Sequence, residues 1–122
     1  MSGVVQEIAG ARVLVFGPEG GPMRSDRDAV DLIGDGMGHG VAWIAVPAER
    51  LGDDFFVLSN RIAGEAIQKF VNYQIKLAIV GDISRHLAAS KALQDFVRES
   101  NRGRHVWFVD SLEALGERVE RG

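Results

Sequence analysis

The sequence contains no cysteine, which excludes disulfide bonds and thiolate ligands for a metal ion. No apolar run approaches the ~18 residues that a membrane-spanning helix needs. The first residues, from Met1 to Glu7, lack the basic segment that opens a secretory signal peptide. These absences are typical of a protein of the reducing cytoplasm. We expect this location, in a bacterium to judge from the style of the chain, and we expect no membrane partner.

The chain also lacks an excess of positive charge and any internal repeat. Its 14 Lys and Arg against 17 Asp and Glu give a net charge of −3, which argues against a nucleic-acid partner. The 122 residues are 46% hydrophobic and 25% charged, as in an ordinary globular protein. We therefore predict a single domain over residues 1–122.

Apolar runs alternate with helical patterns along the whole chain. The predicted strands cover residues 4–9, 12–16, 42–46, 76–80 and 105–109, and the predicted helices begin near residues 26, 59 and 85 and after residue 110. The order is therefore β-β-α-β-α-β-α-β-α. Since strands that alternate with helices pair in parallel and the first two strands form a hairpin, we predict an α/β fold. It contains a single mixed five-stranded sheet with helices packed on it.

Two of these helices have sequence features that affect their course. The first contains four glycines within residues 34–40, which we expect to break the helix and form its C-terminal turn, with Met37 on the inward face. These glycines follow a helix rather than a strand, so they do not match a nucleotide-binding loop. The helix that follows the fourth strand is predicted to run unbroken over residues 85–99, with Ala88, Ala89 and Ala92 inward.

The end of the fourth strand carries the most informative group of polar residues. The apolar run stops at Gly81, and Asp82, Ser84, Arg85 and His86 follow at the start of a helix. Side-chain oxygens at such a position accept hydrogen bonds from the free N–H groups of the helix, so helix capping explains Asp82 and Ser84. The same N–H groups, beside Arg85, are also suited to hold an anion or a carboxylate of a partner.

No motif with a fixed chemistry is found at this corner or elsewhere in the chain. His39, His86 and His105 are dispersed and lack the spacing of zinc ligands. The pair Asp53-Asp54 is interpreted as an acidic loop whose neighbours Phe55 and Phe56 anchor it to the core. We therefore assign no catalytic residue, no metal site and no cofactor.

Four strings together resemble a bacterial family of unknown function, the domain-of-unknown-function family 4180. They are Val15-Phe-Gly-Pro-Glu-Gly-Gly-Pro22, Gln68-Lys-Phe-Val-Asn-Tyr73, Leu77-Ala-Ile-Val-Gly-Asp-Ile-Ser-Arg-His86 and Phe96-Val-Arg-Glu-Ser-Asn-Arg102. The resemblance covers residues 12–119 and implies a compact cytosolic protein, but it implies no activity.

The order of elements and the closing Val109-Asp-Ser-Leu-Glu-Ala-Leu115 are more distantly similar to STAS domains, the fold of anti-sigma-factor antagonists. In those domains a serine or threonine at the start of the second long helix can be phosphorylated by a partner kinase. The matching position is Ser59, which Val57 and Leu58 precede. This resemblance implies a phospho-acceptor at Ser59 and a regulatory role.

Two functions remain open at this point. The first is a non-enzymatic regulatory or protein-interaction domain of STAS-like type, whose contact surface combines Ser59 with the corner from Asp82 to Arg85. The alternative is a protein that binds a small molecule or an anion, and that has a catalytic role if the pKa of Asp82 is raised so that it acts as a base. The predicted contact residues in this second case are Tyr73, Asp82, Ser84, Arg85 and Asn101.

Overall fold

The computed structural model describes residues 3–19 and 25–121 of the chain. The strands are β1 (Gly3–Ile8), β2 (Ala11–Phe16), β3 (Trp43–Pro47), β4 (Lys76–Val80) and β5 (Val106–Val109). The helices are α1 (Asp26–His39), α2 (Ala48–Leu51), α3 (Ile62–Tyr73), α4 (Ser84–Ala89), α5 (Lys91–Arg102) and α6 (Leu112–Arg121). Two short 3-10 turns, Asp53–Phe56 and Leu58–Asn60, lie between α2 and α3.

The five strands form one mixed sheet in the order β1-β2-β3-β4-β5, which confirms the predicted fold class. β1 and β2 are antiparallel, while β2 to β5 are parallel to one another. The hairpin that joins β1 to β2 has a two-residue turn in which Ala9 and Gly10 both have positive φ, at 52° and 85°. Such a turn matches the twist of the flanking strands and sets Ile8 opposite Ala11.

The two faces of the sheet are buried under different helices. Since successive side chains of a strand point to opposite faces, alternate residues of the central strands belong to different cores. Ile44 and Leu77 face the larger core, which α1, α3 and α5 cover with residues such as Phe70. Trp43 faces the second core, where Leu115 of α6 packs on the sheet. Helices therefore cover both faces.

Helix α1 continues through the glycines that were expected to break it, so that prediction is wrong. It ends at His39, and Gly40 caps it in the left-handed conformation at φ 63° and ψ 39°, so the prediction that a glycine forms the C-terminal turn is correct. Gly36 is buried, and a Cβ atom there would lie 2.8 Å from Cδ1 of Ile44. This glycine therefore allows the helix to approach β3 closely. Met37 is exposed instead of inward, and Leu32 is buried in α1.

The predicted continuous helix over residues 85–99 is in fact two helices, α4 and α5. They are separated at Ser90, whose backbone is extended at φ −149° and ψ 114°. The Ser90 hydroxyl accepts a hydrogen bond from the backbone N–H of Leu93 at 3.1 Å and so caps α5. The alanines 88, 89 and 92, predicted to lie inward, are exposed because α4 and α5 do not share one helical face. Leu93 is the fully buried residue of α5.

Candidate functional site

The carboxyl ends of β3 and β4 lie side by side at one end of the sheet because the two strands are parallel, with Pro47 paired to Val80. The chain leaves β3 through α2 and leaves β4 through Gly81 into α4. A cleft of about 360 Å³ opens between these two exits, and we call it the Gly81 cleft. It is lined by Ala48, Glu49, Gly52, Asp53, Val80, Gly81, Asp82, Arg85 and His86.

Gly81 shapes the turn that leads from β4 into this cleft. Its φ is 139°, a conformation that side chains with a Cβ atom rarely adopt. A Cβ atom there would also lie 3.3 Å from that of Ala48. A residue other than glycine would therefore be strained, and it would press on the start of α2.

Asp82 accepts the first free N–H of α4, as the sequence predicted, whereas the Ser84 hydroxyl, predicted to cap as well, donates to Asp82 instead. One oxygen of its carboxylate, Oδ1, accepts the backbone N–H of Ser84 at 2.9 Å and also the Ser84 hydroxyl. The side-chain bond and then the backbone bond from Ser84 lower the pKa of Asp82 below its ordinary value of 3.8. This direction is opposite to the raised pKa that would make Asp82 a base near neutral pH.

Arg85 pairs with Asp53, although Asp82 is closer to it in the sequence. Its Nη2 atom lies 3.1 Å from Oδ1 of Asp53, and the two side chains are 76% and 73% exposed. The Nε2 atom of His86 lies 3.3 Å from the same Arg85 nitrogen and 3.8 Å from the same Asp53 oxygen. These three residues therefore form one polar group, the Asp53–Arg85–His86 cluster.

A buried aromatic ring holds this cluster in place. The His86 ring stacks on Phe56 with centroids 4.2 Å apart and an interplanar angle of 17°. Phe56 is buried beside Phe55, which confirms that both rings anchor the loop after β3. Because Phe56 is fixed in the core, the imidazole of His86 has a defined position between the two exits of the chain.

A second cleft, of about 530 Å³, also borders the cluster, and we call it the Val57 cleft. Its lining residues are Asp53, Phe56, Val57, Leu58, Ser59, Arg85, His86, Ala89, Ser90 and Ala92. Asp53, Arg85 and His86 thus line both clefts. Val57 is half-exposed in the second cleft, although a large apolar side chain is usually buried.

Ser59 lines the Val57 cleft but does not start a helix, contrary to the sequence-based expectation. It is exposed in the 3-10 turn Leu58–Asn60. Helix α3 begins only at Ile62, because Arg61 takes the left-handed conformation at φ 68°. The side chain that accepts the N–H of Ile62 belongs to Asn60, at 3.0 Å. The structure nevertheless places Ser59 and Arg85 in the same cleft, as the proposed contact surface requires.

Two other predicted contact residues lie away from both clefts. Tyr73 is the last residue of α3 and precedes β4, so it lies at the opposite end of that strand from Asp82. Asn101 accepts the backbone N–H of Phe108 through Oδ1 at 2.7 Å, which occupies its side chain at the edge of β5. The structure therefore brings Asp82, Ser84 and Arg85 to one corner, and it does not bring Tyr73 or Asn101 there.

The cluster residue that sequence reasoning missed is Asp53. Its neighbours Phe55 and Phe56 are the available signal, since an anchored aromatic fixes the position of the polar residues next to it. Within residues 3–19 and 25–121, no group of three or more His, Asp or Glu side chains is arranged to hold a metal ion. Over the same residues, no helix has the length and apolar character needed to cross a membrane.

The fold and the two clefts define a class, that of small α/β domains with a mixed sheet in sequential strand order. Comparison with known proteins gives the family. The sequence model described as "Domain of unknown function (DUF4180)" matches residues 8–119, so the chain belongs to this family. No curated protein and no solved structure matches the chain significantly. The similarity to STAS domains therefore stays a prediction.

Proposed function

We propose that this chain is a non-enzymatic regulatory domain of the bacterial cytoplasm that binds a protein partner at the Val57 cleft. The observation that carries the proposal is the half-exposed Val57 within a cleft bordered by the Asp53–Arg85–His86 cluster. Protein interfaces commonly have an apolar centre and a polar rim, and this cleft has both. The proposed location is compatible with the absence of cysteine from the sequence.

The apolar centre and the polar rim come from different segments of the chain. Val57 and Leu58 follow the first 3-10 turn, while Ala89 and Ala92 flank the break at Ser90 between α4 and α5. Because the helix is interrupted at Ser90, Ala89 and Ala92 are exposed to solvent beside Val57 instead of facing the core. A partner that inserts an apolar side chain here would remove the exposed half of Val57 from water, which contributes roughly half of the ~1.5–3 kcal/mol that complete burial of such a side chain gives.

The charges at the rim favour docking of a protein over binding of a small anion. The guanidinium of Arg85 already pairs with Asp53 at 3.1 Å, so a free anion would have to compete with a carboxylate for it. A protein partner can instead satisfy both members of the pair with polar groups at fixed positions. The ligand-binding alternative also receives no support as a catalyst, because the pKa of Asp82 is lowered and not raised.

Ser59 gives the proposal a means of regulation. It is exposed and lines the cleft together with Arg85 and Asp53. A phosphate on this hydroxyl would add about −1.5 to −2 charges at the rim. Within the proposal, this charge draws Arg85 away from Asp53 and changes the surface that the partner meets.

Photo-crosslinking in the native host tests the docking surface. A photoreactive amino acid replaces Val57, which is 50% exposed, or Tyr73, which is 47% exposed and lies away from the cleft. We expect a discrete adduct with one protein from position 57 and none from position 73. The adduct should be lost in an Arg85→Ala background and weakened by Ser59→Asp. No adduct from position 57, or the same adduct from both positions, would overturn the proposal.

A further inference from the structure

The two edges of the sheet differ in how their free backbone groups are used. At the β5 edge, the N–H of Phe108 points away from β4 and is taken by the side chain of Asn101 at 2.7 Å. At the opposite edge, β1 is six residues long and, among the strands of the described residues, pairs with β2 alone. Proteins usually block an open edge strand, because its free N–H and C=O groups can pair with another strand. Within residues 3–19 and 25–121, a side chain therefore occupies an outward N–H of the β5 edge, whereas the outward backbone groups of β1 have no such partner.

The hairpin determines which backbone groups of β1 are free. The residues that flank a two-residue turn form a hydrogen-bonded pair, here Ile8 and Ala11, and hydrogen-bonded pairs then alternate along the ladder. Gln6 and Val4 therefore also bond to β2, whereas Gly3, Val5 and Glu7 direct their N–H and C=O groups outward. The backbone groups of Val5 and Glu7 form no other hydrogen bond within the described part of the chain.

We propose that two copies of this chain pair through their β1 strands in antiparallel fashion, so that one sheet continues across the dimer. A strand edge can pair with its own copy about a two-fold axis, which makes a second copy the occupant. The register with Val5 opposite Val5 of the second copy uses every outward residue and gives about six backbone hydrogen bonds.

The side chains of β1 are compatible with this register. Glu7 lies opposite Gly3 of the second copy, so the strand's single charged residue does not face its own copy directly, which would be unfavourable. The two Val5 side chains meet at the axis, next to the larger core on which Val5 already packs. On the other face, the exposed Val4 lies opposite Gln6 of the second copy, which covers part of it.

This inference does not depend on the proposed function. The clefts lie at the ends of β3 and β4, whereas β1 is the outer strand of the sheet. If no dimer formed, only the pairing of β1 strands would be contradicted. If no crosslink formed from position 57, only the proposed docking surface at the Val57 cleft would be contradicted.

Sedimentation of the full chain with matched Glu7 variants provides the first test. We expect the wild type to sediment at twice the chain mass of 13.3 kDa. Glu7→Pro removes an outward N–H that β2 does not use, so it should give a folded monomer. Glu7→Thr removes the same carboxylate but keeps the N–H, so it should remain a dimer. Circular dichroism checks that both variants are folded.

A single engineered cysteine tests the register, and the absence of native cysteine makes the result unambiguous. Residues in a hydrogen-bonded antiparallel pair have Cα atoms ~5.5 Å apart, within the range of a disulfide bond. Val5→Cys should therefore form an intermolecular disulfide under mild oxidation, while Tyr73→Cys should not. A wild type that is monomeric throughout would overturn the inference. A dimer that keeps its mass in Glu7→Pro and forms no Val5→Cys disulfide would overturn it as well.

Discussion

Two glycines within α1 differ in how closely they approach the sheet, so substitutions at them test the packing of that helix. Gly36 is buried, and a Cβ atom there would lie 2.8 Å from Cδ1 of Ile44 and 3.2 Å from Cγ2 of Val41. Gly34 lies in the same helix but is exposed, and a Cβ atom on it would meet nothing within 4 Å. Alanine substitutions at these two positions therefore share the change in helix propensity and differ in the contacts that they create.

The magnitudes follow from these contacts. Gly34→Ala should raise the free energy of unfolding by ~0.5–1 kcal/mol, because alanine loses less backbone entropy in a helix than glycine does. Gly36→Ala gains the same amount but forces a methyl group against Ile44, which is fully buried and cannot swing into solvent. Overpacking of this kind costs ~1–3 kcal/mol. We therefore expect Gly36→Ala to be about 1–3 kcal/mol less stable than Gly34→Ala.

Urea unfolding followed by circular dichroism measures this difference, and thermal unfolding provides a check. For a domain of this size, 1 kcal/mol corresponds to roughly 3–6 °C in Tm. Gly34→Ala should thus melt above the wild type and Gly36→Ala below Gly34→Ala. If both variants gained the same stability, α1 would not be held close to β3 by Gly36, and the explanation for the unbroken helix would be wrong.

Three further predictions concern the corner at α4 and the break before α5. Ser90→Ala should lower the free energy of unfolding by ~1 kcal/mol in urea titrations, since it removes the cap of α5, while Ser90→Thr should retain most of it. Ser84→Ala should raise the pKa of Asp82 toward 3.8, as followed by NMR titration of the carboxyl carbon, because both hydrogen-bond contributions come from Ser84 and the hydroxyl makes the larger one. Arg85→Ala should change the free energy of unfolding by less than ~1 kcal/mol, because the ion pair with Asp53 is mostly exposed, although we expect the same substitution to abolish crosslinking from position 57.

Each of these three predictions can fail in a defined way. An unchanged stability in Ser90→Ala would mean that the hydroxyl does not hold α5. The lowered pKa of Asp82 implies that its contribution to stability is complete above the unfolded pKa and is lost as the pH falls through the folded pKa. A contribution that instead disappeared as the pH rose would contradict the assigned hydrogen bonds. A large loss of stability in Arg85→Ala would assign that residue to the fold rather than to a contact surface.

The strands could be predicted from the sequence because their signal is local. β4 was predicted with its observed limits, since an apolar run in the middle of a parallel sheet is buried on both faces. The course of α1 and of α4–α5 was not predictable in the same way. Whether Gly36 ends a helix or allows close packing depends on Ile44, which lies on another element, and the extended backbone of Ser90 depends on how α5 packs.

In the candidate site, too, local contacts are predictable from the sequence and long-range contacts are not. The sequence predicts the capping role of Asp82, whose bond from the Ser84 N–H spans two residues, but it does not predict the pair of Asp53 with Arg85, which spans 32 positions. The sequence itself argues against a site that contains both Tyr73 and Asp82. These residues flank opposite ends of β4, and five residues of strand span about 17 Å, so their side chains cannot share a site at one end.

The sequential strand order also explains where a functional surface can arise in this fold. In open α/β sheets, ligands commonly bind where the strand order reverses and neighbouring connections diverge. Here the order from β1 to β5 never reverses, so the sheet itself provides no such crevice. Both clefts instead depend on the segment between β3 and α3, which Phe55 and Phe56 anchor to the core. Because the anchors are buried while Asp53 and Val57 beside them are exposed, this segment presents polar and apolar groups at fixed positions. A surface of that kind can recognise a partner without reorganisation of its own backbone.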